Sequence, residues 1–564
     1  MSWIYGFHHK HRADKHDLHN PTAQHEFHAD GWDVYAGGRE DVCYWQLLPD
    51  NAWLCVLGKP VRLQDEEYGY INAQQWLELL RQPEQIKLLD GHFVILYFDG
   101  TKLFCYNDAL GKRSLYFVET PNYTYFCSDL TLLKSQHKPE IDYYKFGALW
   151  HAMYPPTQGG YAPLQGSYYR DVHMLGTGAT AVLDGKTHML NLESSPWLPT
   201  NTPNDPVKLL ESYCLLPVKA GKHIGIGLSG GMDIRPLLAI YLGAGLKPVV
   251  FNYGSTNNYD YKVAKDIARH FGLTFRYIPY SETTGSWNQV LDFTKDRGVV
   301  FNPLHSANLG YYPVVAQECD TYISGYWGEV FRFRMMAANL KSLLRIPKLG
   351  YHDIGAYLYR NPPSFFVAEV KRKLHEGFWT HLKEATGEMP SSREMLNPMW
   401  MHLFVLRYWF HTLQTVNYPS IDSHVTNILP WIQPTLLSEH WRIGFFKQLN
   451  EGLHRSIIRA KCPALERFPL SATDVVAPYR TRQLALKLKS RAHYRKHPRL
   501  RDTRTTDFLN RHKERIMDLV SSQVVTLDEA IDQVKLKEIV KGFYAGDAKQ
   551  QDAMVCFLAY ALGK

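Results

Sequence analysis

The sequence predicts a chain of α/β plus α+β class, with an antiparallel first part, a parallel-sheet second part and a helical C-terminal region. Three observations carry this. The apolar run Phe93–Phe98 is followed by Asp99-Gly100 and then by Lys102–Tyr106, the pattern of a β-hairpin. Residues 194–206 read SSPWLPTNTPNDP, with four prolines among Ser, Thr and Asn, the composition of a linker. After that linker, short apolar runs alternate with helix-period segments, which implies parallel βαβ units.

In order along the chain, residues 1–30 carry seven histidines, His8, His9, His11, His16, His19, His25 and His28. Metal binding is one reading. No other recognisable ligand set accompanies them, so a solvated loop is the expected one. From Trp53 to Leu133 the pattern is mostly strand-like. Leu115–Phe117 and Tyr123–Phe126 flank a Pro121-Asn122 turn, and Gln74–Leu80 reads as helix. Beyond the linker come a buried strand at His223–Leu228, a helix at Pro236–Leu242 and a strand at Pro248–Tyr253. A helix at Tyr261–Phe271, a strand at Phe275–Pro279, a helix at Ser306–Cys319 and a strand at Thr321–Ser324 follow. From about Leu340 the chain reads as mostly helical, ending in an apolar helix at Ala553–Leu562. The expected domains are 1–195, a linker at 196–206, a second domain at 207–470 and a basic helical extension at 471–564.

Composition narrows the classes of function. The chain has 564 residues, enough for two to four domains at roughly 100–200 residues each. The start Met1-Ser2-Trp3-Ile4-Tyr5 lacks the basic region of a secretory signal, and there is no apolar run of about 18 residues, so no membrane span is expected. The eight cysteines are scattered without CxxC spacing, which suits free thiols in the cytoplasm. Net charge is +8, yet residues 480–515 hold thirteen Lys/Arg against three Asp/Glu, a local +10, so the rest of the chain sits near −2. That stretch reads by default as a solvated helix or loop. The alternative is a contact surface for an acidic partner such as a polyanionic glycan, a membrane surface or a carrier. No nucleic acid is expected.

The segment that carries chemistry is Leu228-Ser229-Gly230-Gly231-Met232-Asp233, between a buried strand and a helix. Two glycines let backbone N–H groups approach phosphate oxygens, and the helix N-terminus adds donors and a favourable dipole. Ser229 supplies a hydroxyl. Asp233, expected in the first helical turn, supplies a carboxylate for Mg²⁺. A Walker P-loop is excluded, because GxxxxGK[ST] does not occur. The loop resembles the SGGxD loop of PP-loop ATP pyrophosphatases.

Further segments resemble the asparagine synthetase family. Ser324-Gly325-Tyr326-Trp327-Gly328-Glu329 is similar to its SGxGxD/E stretch, which implies that Glu329 joins Asp233 at the metal. Phe251-Asn252-Tyr253-Gly254 corresponds to the strand edge that contacts adenine, and Asp260 and Ala264 continue the pattern. Ile428–Leu437 resembles its PFLDxxLL segment, and His454–Arg459 the helix after it. The resemblance implies a nucleotide site of Leu228, Ser229, Gly230, Gly231, Asp233, Phe251, Asn252, Tyr253, Ser324 and Gly325, with ATP and Mg²⁺ bound. It departs from the family at Ile234, where Ser is usual, and at 463–470, where no Lys is in register. Lys461 and Arg467 are the nearby candidates for the second step, and Arg235 is a candidate phosphate contact or a helix-surface residue.

The first domain resembles the class II glutamine amidotransferase domain of the same family, which implies an Ntn-type α-β-β-α sandwich. The matching segments are Leu89–Phe93, Asp108–Tyr116, Phe126–Leu130 and Met174–Gly178. The family's nucleophilic cysteine is replaced by Ser2, and its glutamine-binding motifs are missing at Trp53–Gly58. Loss of glutaminase activity is therefore implied, as in β-lactam synthetases, lasso-peptide cyclases and asparagine-synthetase-like proteins of polysaccharide loci. A minority reading makes Ser2 an N-terminal serine nucleophile.

The resemblance implies an AMP-forming ligase that joins a small-molecule, peptide or glycan carboxylate to an amine. A non-catalytic relative that binds nucleotide or a partner is the alternative. A PP-loop tRNA-modifying enzyme is a third reading, disfavoured by the first-domain match. A homodimer is left open.

Overall fold

The computed structural model describes residues 2–10, 22–29, 31–153, 166–200, 202–279, 286–300, 310–332, 350–390, 397–410, 418–443, 447–448, 451–472, 475–481, 485, 489, 492 and 503–564. It is a mixed α/β molecule with antiparallel sheets towards the N-terminus and a parallel sheet after them.

The N-terminal strands are β1 (Trp3–His9), β2 (His25–Ala29), β3 (Trp32–Gly37), β4 (Cys43–Leu47), β5 (Trp53–Gln64), β6 (Glu67–Tyr70) and β7 (Asp90–Phe98). They continue as β8 (Lys102–Asn107), β9 (Tyr116–Glu119), β10 (Tyr123–Cys127), β11 (Val172–Met174), β12 (Thr180–Asp184) and β13 (Leu190–Glu193). One sheet runs β11-β9-β10-β1-β3-β2, the other β13-β12-β8-β7-β5-β4 with β6 on β5. Strand alternation builds the layers. Ile4 and Val34 of the first sheet share a core with Trp53, Cys55, Leu57, Val94 and Leu96 of the second. The alternate residues Leu54, Val56, Phe93 and Ile95 face outward onto Trp76 and Leu79 of helix α1 (Ala73–Arg81). Tyr5, Phe7 and Tyr125, on the other face of the first sheet, join the core of the remaining chain.

Residues 194–205 carry no regular element among the described residues, as the linker composition implies. Helix α2 (Pro206–Lys219) follows, capped by the Asp205 carboxylate. The second sheet system comprises β14 (Ile224–Gly227), β15 (Val249–Gly254), β16 (Phe275–Pro279), β17 (Thr321–Ile323) and β18 (Thr426–Ile428). All pairings are parallel, in the order β16-β15-β14-β17-β18. Helix α3 (Arg235–Gly243) leaves β14, and α4 (Tyr259–Phe271) leaves β15.

Two expectations are corrected. His8 and His9 do not lie in a solvated loop; they are buried at the end of β1. His9 Nε2 and His28 Nδ1 bond to opposite oxygens of Asp33, at 2.8 and 2.7 Å, so they do not converge on one point. His11, His16 and His19 lie outside the described residues. Within 310–319, only Tyr312–Val315 is α-helical. The C-terminal region is helical and packs against the rest of the molecule. Its last helix, Gln551–Gly563, is buried from Met554 to Tyr560, and the Tyr560 hydroxyl meets that of Tyr143 at 2.6 Å. Half of the basic stretch 480–515 lies outside the described residues.

Buried histidines make the fold acid-sensitive. Burial lowers the pKa of His8 from 6.5 to about 4, and of His151 and His402 to about 3. His151 Nε2 accepts the Arg360 backbone N–H at 3.1 Å, which requires the neutral ring. Below pH 6.5 the unfolded chain takes up protons that these folded groups refuse, so stability falls as pH drops toward about 4. Each group contributes up to roughly 1.4 kcal/mol per pH unit in that window. Thermal unfolding followed by circular dichroism across it is expected to show a steadily falling midpoint; a flat profile would contradict neutral burial.

Candidate functional site

The order of the parallel sheet decides where the site lies. From β14 the chain builds outward through β15 and β16 on one side, then returns to place β17 and β18 on the other. The crevice beyond the carboxyl ends of β14 and β17 is therefore a topological switch point, where ligands bind in such sheets. The loop Leu228–Ile234 leaves β14 there, and the loop Ser324–Gly328 leaves β17 beside it.

Two glycines hold these loops together. A Cβ on Gly328 would stand 2.7 Å from the Asp233 Cβ and Oδ1, and one on Gly325 would stand 2.9 Å from the Ile234 backbone. Only glycine admits this approach, so the spacing of Gly325 and Gly328 is a packing requirement of Asp233-Ile234. Between them Trp327 is buried with φ 69° and packs edge-on against Phe410 at 4.8 Å. A bulky residue with positive φ costs energy and persists where its surroundings impose it. Tyr326 is half exposed. Glu329 follows Gly328 at the start of a short 3-10 helix, Gly328–Arg332.

Asp233 lies two residues before α3, which begins at Arg235 with Ile234 at its cap; it is not in the first turn. Its backbone carbonyl accepts the Trp431 Nε1–H at 2.9 Å. Trp431 stacks on His454 at 4.4 Å, and the His454 Nε2 lies 3.5 Å from the Asp233 Oδ1. Trp431 stands just beyond β18 and His454 in the helix Gly452–Lys461, so both segments matched from sequence reach Asp233.

The glycine loop is also braced by Asp260, Ser471 and Arg235, in a role that sequence reasoning did not give them. The Gly230 N–H donates to Asp260 Oδ1 at 3.1 Å, and Ser471 donates both its hydroxyl to Asp260 and its N–H to the Gly230 carbonyl. Arg235 is fully buried, neither on the helix surface nor free to meet phosphate. Its guanidinium donates to the carbonyls of Phe468 at 2.8 Å, Gly230 at 3.0 Å and Pro469. Burial lowers its pKa to about 10. A charged residue directly after Asp-Ile was the available signal; its partners more than 230 positions away were not.

The remaining sequence candidates divide. Ser229, whose hydroxyl accepts the Gly231 N–H at 3.2 Å, and Ser324, whose hydroxyl accepts the Tyr326 N–H at 3.2 Å, sit in the two loops. Leu228 and Phe251 are buried, and Asn252 donates to the Leu228 carbonyl at 2.8 Å, so these three build the edge from within. Tyr253 is half exposed and stacks on Tyr311 at 4.9 Å. Lys461 is not brought to the loop. It packs at the far end of α3, beside Gly243, with its ammonium 2.5 Å from Glu211. Arg467 is exposed, one residue before the segment that Arg235 holds.

Two carboxylates on adjoining loops suit a hard cation such as Mg²⁺, which takes one or two carboxylates and completes its shell with phosphate and water oxygens. Among the described residues no group of three His, Cys, Asp or Glu could hold a metal ion by itself.

A second polar centre joins the two halves of the molecule. Ser2 is buried, and its hydroxyl accepts from Arg113 at 3.3 Å. Gly38, with φ +132°, lets the chain pass so close to Ser2 that a Cβ would strike its backbone. Arg113 pairs with Asp422, which also accepts from His92 at 2.8 Å and from the Asn427 N–H at 3.0 Å. Burial raises the Asp422 pKa, but His92 and Arg113 outweigh it and hold the carboxyl below its ordinary range. Beside it the Gly91 N–H donates to Gln433 Oε1 at 2.7 Å, and the Thr435 N–H to Asp90 Oδ1 at 3.1 Å. The matched first-domain segments converge here too: Asn107 bonds the carbonyls of Arg113, Leu175 and Gly176.

A scan against protein-family models finds no match, and a search of curated proteins finds none. Among the described residues no helix is long and apolar enough to cross a membrane.

Proposed function

We propose that the chain is an ATP-dependent, AMP-forming carboxylate–amine ligase of asparagine synthetase type, with an Ntn-type first domain that lacks glutaminase activity and a PP-loop second domain. The observation that carries the proposal is the contact of the Asp233 and Gly325–Glu329 loops at the switch point between β14 and β17. On this reading the glycine loop positions ATP and a substrate carboxylate attacks the α-phosphorus, giving an acyl-adenylate and pyrophosphate. An amine then attacks that anhydride, releasing AMP. Mg²⁺ held by Asp233 and Glu329 would offset phosphate charge. Enclosure of both reactants supplies rate through proximity. The surroundings of Ser2 support the silence of the first domain, because its hydroxyl faces a guanidinium, and Arg113 cannot take its proton.

One observation favours the non-catalytic alternative. The Gly230 N–H is engaged by a carboxylate and Arg235 is consumed by carbonyls, so two expected phosphate donors are used within the fold. ATP–pyrophosphate exchange with Mg²⁺ and a panel of carboxylates including aspartate separates the two. Exchange with one carboxylate, abolished in Asp233→Ala, is expected. No exchange with any carboxylate, together with no detectable ATP binding, supports the alternative.

A further inference from the structure

A cavity of about 710 Å³ opens between the linker, the end of the helix Ala368–Gly387, and the helix Pro434–His440 that follows Trp431. Its size falls within the roughly 300–1,000 Å³ of small-molecule sites. One wall is apolar, formed by Leu198, Met389, Pro390 and the indole of Trp441. The Trp441 Nε1–H is buried without a hydrogen-bond partner among the described residues.

The charged groups on the lining are of both signs. Arg407 is 3% exposed, and it donates through Nε to the Trp197 carbonyl at 2.9 Å and through Nη1 to the Glu388 carbonyl at 3.3 Å. Its Nη2 makes no hydrogen bond, and no carboxylate pairs with it, among the described residues. The Glu388 charge offsets only part of the desolvation of this guanidinium, and no carboxylate is in ion-pair contact with it among the described residues, which favours an anionic group brought by a ligand. Glu388 lies at the exposed rim, with one carboxylate oxygen accepting from the Tyr408 hydroxyl at 3.0 Å. Arg442, also on the lining, is already satisfied by both oxygens of Glu439 at 3.0 and 3.2 Å. One buried cation and one rim anion are thus left for a ligand, beside an apolar wall.

We propose that this cavity binds a zwitterionic amino acid with an apolar side chain, its carboxylate on Arg407, its ammonium toward Glu388 and its side chain against Met389 and Trp441. The unengaged Nη2 can give a ligand carboxylate a charge-assisted bond, and the opposed charge rejects plain anions. The site is separate from the Asp233 loops and does not depend on the ligase reading.

The test is calorimetric titration of the full chain with L-phenylalanine, L-phenylalaninamide and N-acetyl-L-phenylalanine. Phenylalanine is expected to bind, and each analogue, lacking one charge, to bind about tenfold or more weakly, as loss of one charge-assisted bond implies. Glu388→Gln, a rim change that keeps an acceptor for Tyr408, is expected to weaken phenylalanine and leave the acetylated analogue unchanged. Arg407→Lys is expected to weaken both. No binding of phenylalanine at millimolar concentration, equal binding of all three compounds, or no effect of Glu388→Gln overturns the proposal.

Discussion

Asp422→Asn is expected to lower folding stability by about 3–5 kcal/mol, the cost of leaving a buried charge uncompensated. The substitution keeps the shape and removes the charge. Arg113 then remains buried beside Ser2 and His92 without its carboxylate. The loss is placed where it matters most, because Asp422 precedes β18 of the parallel sheet while Arg113 and His92 belong to the antiparallel part. Urea unfolding reads the effect as a lower midpoint at unchanged slope. Arg113→Met combined with Asp422→Asn is expected to recover part of the loss, since no lone charge is left inside. A single-variant cost under about 1 kcal/mol, or strict additivity in the double variant, would falsify a coupled network.

Arg235→Met is expected to cost about 3 kcal/mol. Its guanidinium is the donor to the Phe468 and Pro469 carbonyls, and each buried acceptor stripped of its partner costs about 1–3 kcal/mol. The Gly230 carbonyl keeps the Ser471 N–H and suffers less. A second effect is local. With the brace gone, amide exchange across Gly230–Ile234 is expected to quicken more than exchange in β14, because the loop loses its attachment to the 468–471 segment while the strand keeps its ladder. Arg235→Lys restores the charge but not the fork that reaches three carbonyls, so it is expected to rescue stability only in part. Unchanged loop exchange in Arg235→Met would show that Ser471 and Asp260 hold the loop unaided.

Much of the architecture was legible locally. The hairpin at Asp90–Asn107 and the helices at Ala73–Arg81 and Tyr259–Phe271 follow from turn chemistry and periodicity, which act within a few residues. Four of the five parallel strands were legible as short apolar runs; β18 (Thr426–Ile428) was not, because it lies in a stretch that reads as mostly helical. Less local features failed. The histidines of 1–30 read as solvent-exposed by composition, yet His8 and His9 are interior because β1 lies between β3 and β10. Lys461 is near Arg467 in sequence but remote from the loop in space, since the helix Gly452–Lys461 brings His454 to Asp233 at its start and carries Lys461 to Gly243 and Glu211 at its end.

The sequence by itself determined the two-part chain, the strand–loop–helix at Leu228–Gly243 and the residue types that make Asp233 and Glu329 candidates. The tertiary structure alone decided that these two carboxylates belong to touching loops, that Arg235 is a brace, and that Asp422 ties the sheets together across Ser2. The physical reason is range. Backbone propensity and side-chain periodicity are written in neighbouring residues. The partner of a buried polar group is chosen by strands pairing across ninety positions or more, and burial then obliges each such group to find a donor or acceptor wherever the packing has left one.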